Sequence, residues 1–142
     1  MDKRKKGFSL LELLLVVAII LIVATIAVPA LLRSRQSANE TAAVTNLRLV
    51  NSAEVSYTVS GGGAYGTVPE LVSAGLLDDR FLNYISGYTF SIAASGSDFT
   101  ATATARSLND GRYDFYTRPD NVIRYSTVTG RAPAGLTGAP VQ

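Results

Sequence analysis

The chain has no cysteine, no histidine and no tryptophan. That excludes disulfides and thiol nucleophiles. It also removes the usual imidazole base and the commonest zinc ligands. Cysteine-free chains suit reducing and oxidising compartments alike, so this absence assigns neither. Lysine is almost as scarce. All three, Lys3, Lys5 and Lys6, stand beside Arg4 in the first six residues. No G-x-S-x-G or P-loop pattern occurs. Any catalytic arrangement would have to pair Ser or Tyr with a carboxylate. These absences argue against an enzyme, and no cofactor is expected.

The net charge of +2 misleads, because residues 1–7 hold four of the 13 basic side chains and one of the 11 acidic ones. The remainder carries nine basic against ten acidic groups. Binding nucleic acid directly requires a basic excess that neutralises phosphates. The body of the chain has none.

What the sequence does have is one long apolar run. Phe8–Leu32 is broken only by Ser9, Glu12, Thr25 and Pro29 in 25 residues. As a helix it reaches roughly 37 Å at about 1.5 Å per residue, enough for a hydrocarbon core of about 30 Å. A chain this small could not wrap a helix apolar on every side, so a buried core helix is the weaker reading. Basic residues precede the run and thin out until Arg33 and Arg35, which orients the N-terminus to the cytoplasm. An ordinary secretory signal has a shorter apolar core and a cleavage site after it. Here the small residue at the border, Gly7, comes before the run. Cutting there would leave the helix on the mature chain.

Glu12 is the most informative residue. A lone carboxylate in an apolar helix costs about 2.5–3.5 kcal/mol on insertion scales. Either it lies shallow enough to snorkel or take up a proton, or it has a partner. A cut after Gly7 would create one, the α-amino group of Phe8, at the same depth. The amine of a neighbouring subunit could reach Glu12 too, which would set the register of stacked helices. Pro29 removes one backbone hydrogen bond and clashes one turn back, at about 3 kcal/mol. A kink is expected there, or an unwound stretch in an assembled fibre.

KKGFSLLELLLVVAIILIVATIAVP resembles the N-terminus of a type IV pilin precursor: a basic leader ending in Gly, then Phe, then Glu and Pro at the family's spacing. Gly7, Phe8, Glu12 and Pro29 occupy those positions. The resemblance covers roughly the first fifty residues. It implies cleavage between Gly7 and Phe8 by a membrane-embedded prepilin peptidase and N-methylation of Phe8. It also implies that Glu12 neutralises the new amine during assembly, with helices bundled in the filament centre. Ser9 stands where Thr is usual and Leu21 where many members have Gly; the second bears on local melting of the helix. The calcium cluster of secretion pseudopilins and the C-terminal disulfide of many pilins find no counterpart here.

Beyond Leu32 the chain turns polar without losing helical spacing. Ala42/Ala43, Leu47, Val50, Ala53 and Tyr57 form one stripe, and Arg35, Asn39, Arg48 and Asn51 are placed on the opposite face. One helix is expected over Ser9–Ser60, ended by Gly61-Gly62-Gly63. Thr67-Val68-Pro69-Glu70 predicts a short capped helix stopped by Gly75, with Leu71, Leu76, Leu77 and Phe81 as core anchors. Period-two alternation follows in Tyr88–Ala94 and Phe99–Ala105, joined by Ser95-Gly96-Ser97-Asp98. Tyr113–Thr117 and Val122–Ser126 complete a four-stranded antiparallel meander, and the last ten or so residues are read as irregular. The carboxylate pairs Asp78-Asp79 and Asp110 with Asp114 read as surface acids at turns, so no metal site is expected. Asn39-Glu40-Thr41 fits a glycosylation acceptor by letter only.

The expected fold is therefore α+β: a long N-terminal helix, transmembrane half and amphipathic half, packed on a small antiparallel head, the pilin fold. Its divisions are a cleaved leader 1–7, an apolar transmembrane and assembly helix 8–32, an amphipathic continuation 33–60 and a head 61–142. The expected function is a homo-oligomeric subunit of a type IV pilus filament, for adhesion, twitching motility, DNA uptake or a similar task. Its partners would be the membrane before assembly, prepilin peptidase and inner-membrane assembly machinery. It would sit in the inner membrane first and at the cell surface afterwards. The alternatives are a pseudopilin of a type II secretion system and, from another class, a non-polymerising single-pass membrane-anchored periplasmic binding module.

Overall fold

In the computed structural model, residues 7–125 and 138–141 are described. The chain divides into two compact units, residues 1–34 and 35–142. One α-helix, α1 (Leu10–Ser60), provides all the regular structure described in the first unit and the first element of the second. No glycine falls within it and Pro29 is its only proline, so little interrupts the i→i−4 ladder. In the first unit its side chains are exposed all round, Leu10 and Ile26 among them. The helix there is long and apolar enough to cross a membrane.

The second unit reverses that pattern. Over its length α1 buries Glu40, Ala43, Leu47, Val50, Asn51, Ala53 and Glu54, a stripe at three- and four-residue spacing. The apolar members join Val68, Leu71, Leu77, Phe81, Tyr88, Phe90, Phe99 and Phe115 in one core. Asn51 is a correction. Its polarity puts it on the outer face by sequence, yet it is buried and its Nδ2 donates to Thr117 Oγ1 at 3.0 Å. Asn39, also assigned outward, is half-buried and donates to the Asp110 carbonyl at 2.9 Å. In both cases a hydrogen-bonded partner on the head offsets the loss of water.

The short helix α2 (Val68–Ser73) forms as expected. Glu70 reaches back to accept from the Thr67 N–H and hydroxyl, both at 2.7 Å. At its end Gly75 adopts φ +71°. Leu76 N–H donates to Leu71 O and Gly75 N–H to Val72 O, each at 2.9 Å, which closes a Schellman cap. A 3-10 turn follows at Asp79–Leu82.

The sheet has six strands rather than four: β1 (Tyr84–Ile85), β2 (Tyr88–Ser95), β3 (Asp98–Ala105), β4 (Phe115–Thr117), β5 (Arg124–Tyr125) and β6 (Ala139–Pro140). Each pairs antiparallel with the next in chain order. The β2–β3 hairpin runs in register from Tyr88↔Ala105 to Ser95↔Asp98, and Gly96 supplies the positive φ, 59°, that its two-residue loop needs. Tyr88, Phe90 and Ile92 face the core from β2, as do Phe99, Ala101, Ala103 and Ala105 from β3. In β4 the expected alternation fails, since Phe115, Tyr116 and Thr117 are all buried. Tyr116 is covered on its other face, where its hydroxyl accepts from Gly138 N–H at 3.1 Å. The tail is likewise not wholly irregular, because Ala139–Pro140 pairs with β5 and Val141 N–H donates to Ile123 O at 2.8 Å. Proline is tolerated there because β6 is an edge strand. Ser126, the expected end of the fourth strand, and residues 1–6 of the leader lie outside the described residues.

Candidate functional site

The four residues singled out by sequence all fall in the first unit. Gly7 and Phe8 precede α1, and Phe8 is 76% exposed. The helix opens with Leu13 N–H donating to Ser9 O at 3.2 Å. Glu12 is therefore in the first turn, where N–H groups lack intrahelical partners and the dipole is positive. A carboxylate at that end gains roughly 0.3–1 kcal/mol from the dipole. Around it stand the exposed Leu10, Leu11, Leu13 and Leu14. From Phe8 to Leu32 the sequence holds no Lys or Arg, so its own stretch of helix offers no side-chain cation.

Pro29 lies inside α1. Having no N–H, it leaves the Thr25 carbonyl without its helical donor. The Thr25 hydroxyl donates one turn back to Ile22 O at 2.6 Å, a local bond that spares it exposure to an apolar surround.

In the second unit, three of the acids considered as cation ligands, Asp78, Asp110 and Asp114, accept hydrogen bonds from the backbone or from neighbours. Asp78 Oδ1 accepts from Arg80 N–H at 2.9 Å, Asp114 Oδ1 from Ala105 N–H at 2.8 Å, and Asp110 Oδ2 from the Ser107 hydroxyl at 2.6 Å. Among the described residues no group of three acids is placed to hold a metal. Gly61, Gly63 and Gly66 do fit the G-x-G-x-x-G spacing by letter. They follow a helix rather than a strand, so the turn that cradles a dinucleotide phosphate is missing.

Sequence reasoning missed the polar groups on the core side of α1. Glu40 is buried and accepts from Arg112 N–H at 2.8 Å, Nε at 3.1 Å and a terminal nitrogen at 2.8 Å. Glu54 is fully buried and accepts from Gly66 N–H at 3.0 Å. Their signal was positional. Both stand seven residues from Leu47, in phase with the apolar stripe.

A membrane-length apolar helix and a small α+β head define a class by architecture, chains with one such helix leading into a compact head. Comparison with known proteins narrows it. The sequence pattern described as "Prokaryotic N-terminal methylation motif" matches residues 2–28, spanning Gly7, Phe8 and Glu12. The type IV wide pilus major component PilA4 of Thermus thermophilus is 30% identical over 127 residues, 89% of this chain and 91% of the relative. No solved structure matches. The chain belongs to the type IV pilins, a family of structural subunits and not of enzymes.

Proposed function

We propose that the chain polymerises into a type IV pilus filament after prepilin peptidase removes residues 1–7, with Phe8 then N-methylated and Glu12 paired to the Phe8 amine of an adjoining copy. The observation that carries this reading is Glu12 itself: a carboxylate in an exposed collar of leucines, at the helix start. Pairing between copies neutralises two charges that neither could keep cheaply in a low-dielectric bundle. Before assembly the first unit spans the inner membrane with its basic leader in the cytoplasm, consistent with the placing of Lys and Arg. In the fibre, Pro29 is the place where the helix kinks or unwinds. That the similar Thermus protein is a major pilus component favours this reading over a secretion pseudopilin.

The test is Glu12→Ala in the native host, with sheared fibres viewed by electron microscopy and their subunit weighed. The expected result is a chain that inserts in the membrane normally but gives few or no fibres. Wild-type fibres are expected to contain chains starting at Phe8 with one added methyl group. Normal fibres from Glu12→Ala, or fibres built from chains that retain residues 1–7, would overturn the proposal.

A further inference from the structure

Two buried oxygens on one turn of α1 lack a donor. Glu54 is 0% exposed, and of its two carboxyl oxygens Oε2 holds the Gly66 N–H while Oε1 has no partner. Asn51, three residues earlier and on the same helix face, spends its Nδ2 on Thr117 and leaves Oδ1 without a donor. Side chains at i and i+3 lie about 5–6 Å apart at their β-carbons, within reach of each other. Two buried acceptors facing no donor are costly if both stay bare. A single proton on Glu54 would serve both.

We propose that Glu54 is held in the folded head as the neutral acid, its O–H closing on Asn51 Oδ1, and that its ionisation frees the segment around Gly66 from α1. At the middle of this segment the Gly66 N–H bond to Glu54 is the tie to α1, with Gly63 N–H on Thr58 O at 3.0 Å before it and Tyr65 N–H on Gly96 O of the hairpin at 3.1 Å beside it. Gly61, Gly62 and Gly63 precede the segment, with φ of +75° and +95° at the last two. The Tyr57 ring lies over Gly66, where a β-carbon would come within 2.9 Å of it. Beyond the Gly66 N–H, the groups near Glu54 supply no cation to hold a negative charge there. Asn51 on α1 and Thr117 on β4 are neutral, and the ionisable neighbour, Glu70 on α2, is itself an acid. Burial, foremost, pushes the Glu54 carboxyl above its ordinary 4.5; the Gly66 N–H pulls the other way, and Glu70 adds a lesser push upward. A group raised on folding stabilises fully below its unfolded value and loses that contribution as pH climbs through the folded one.

The competing arrangement is a rotated Asn51 amide, which would turn Nδ2 toward Glu54 and satisfy a carboxylate without any proton. The full-length chain in detergent distinguishes the two. Infrared difference spectra between wild type and Glu54→Gln, recorded over a pH series above the ordinary carboxyl value of 4.5, are expected to show one protonated-carboxyl band, present only in wild type. Hydrogen exchange of residues 61–67, corrected for intrinsic rates, is expected to lose protection in wild type by about tenfold per pH unit above the Glu54 midpoint, and not in Glu54→Gln. Absence of the band overturns the neutral acid. A band with parallel exchange profiles overturns the release. Neither outcome touches the filament proposal, which concerns the other unit.

Discussion

At Gly111 there is no room for a side chain. A β-carbon would run into the hydroxyl of Tyr88 and lie 2.6 Å from its ring Cζ. Tyr88 cannot retreat, because its ring is fully buried and its hydroxyl donates to Tyr113 O at 2.7 Å. Burial, the largest cause, also pushes the Tyr88 phenol well above its ordinary 10.0, so it should titrate only on unfolding. Gly111→Ala is expected to cost about 2–3 kcal/mol, from overpacking and a disturbed buried hydrogen bond. Denaturant midpoints check the value, and Tyr88→Phe checks the cause. Removing the hydroxyl takes away the nearest atom and the bond that holds the ring but leaves the ring carbons in place, so part of the penalty should be relieved, giving a coupling between the two sites. An equal cost of Gly111→Ala in both backgrounds would place the crowding on the ring carbons and not on the hydroxyl.

At the level of elements, α2 shows which structure is written locally and which is not. Its start, its stop and the β2–β3 hairpin were legible, because Thr67, Pro69, Glu70, Gly75 and Gly96 act through neighbours a few residues away. The two-residue strands β1 and β6 were not, since a strand that short exists only through the partner it pairs with. Asn51 and Glu54 were misplaced or overlooked for a related reason. A rule that sorts polar residues outward fails where Thr117 and Gly66, distant in sequence, meet them. Among the functional candidates Glu12 stands out because a run of bare apolar residues makes one acid conspicuous, and its proposed roles with Gly7 and Phe8 rest on the Glu12→Ala experiment. The cap of α2 also carries a pH signature. Hydrogen bonds from Thr67, the backbone one first, hold the Glu70 carboxyl below its ordinary 4.5. Stability from that source is present above the unfolded value and fades as pH falls through the folded one. In pH-dependent thermal melts of the full chain in detergent, Glu70→Gln should match wild type in strong acid, fall behind it as pH rises towards about 4.5, and trail by a constant gap above that. Profiles that keep the same gap in strong acid as well would show that the carboxylate contributes no charge-dependent cap. This slope opposes that of Glu54, so the connection from Gly61 to Ser73 should be best protected between the two titrations.

For the molecule as a whole, the two units keep opposite accounts of apolar surface. In residues 7–34 large apolar side chains are exposed, and in the second unit the core runs from Ala43 onward without drawing on any residue before Arg35. An exposed apolar face of that extent does not persist in water, so the first unit requires lipid or other copies of itself. The second unit, by contrast, holds its own hydrogen-bonded sheet, its capped helix and the Glu40–Arg112 fork. A chain beginning at Arg35 is therefore expected to be monomeric in water without detergent and to unfold in one cooperative transition. Its remaining helix, 26 of the 51 residues of α1, is fixed by the buried stripe and not by the apolar half. Circular dichroism should show both helix and sheet in that chain, and sedimentation should give a monomer. A truncated chain that is molten or aggregated would mean that residues before Arg35 are needed to fold the head, and the division of labour between the units would have to be redrawn.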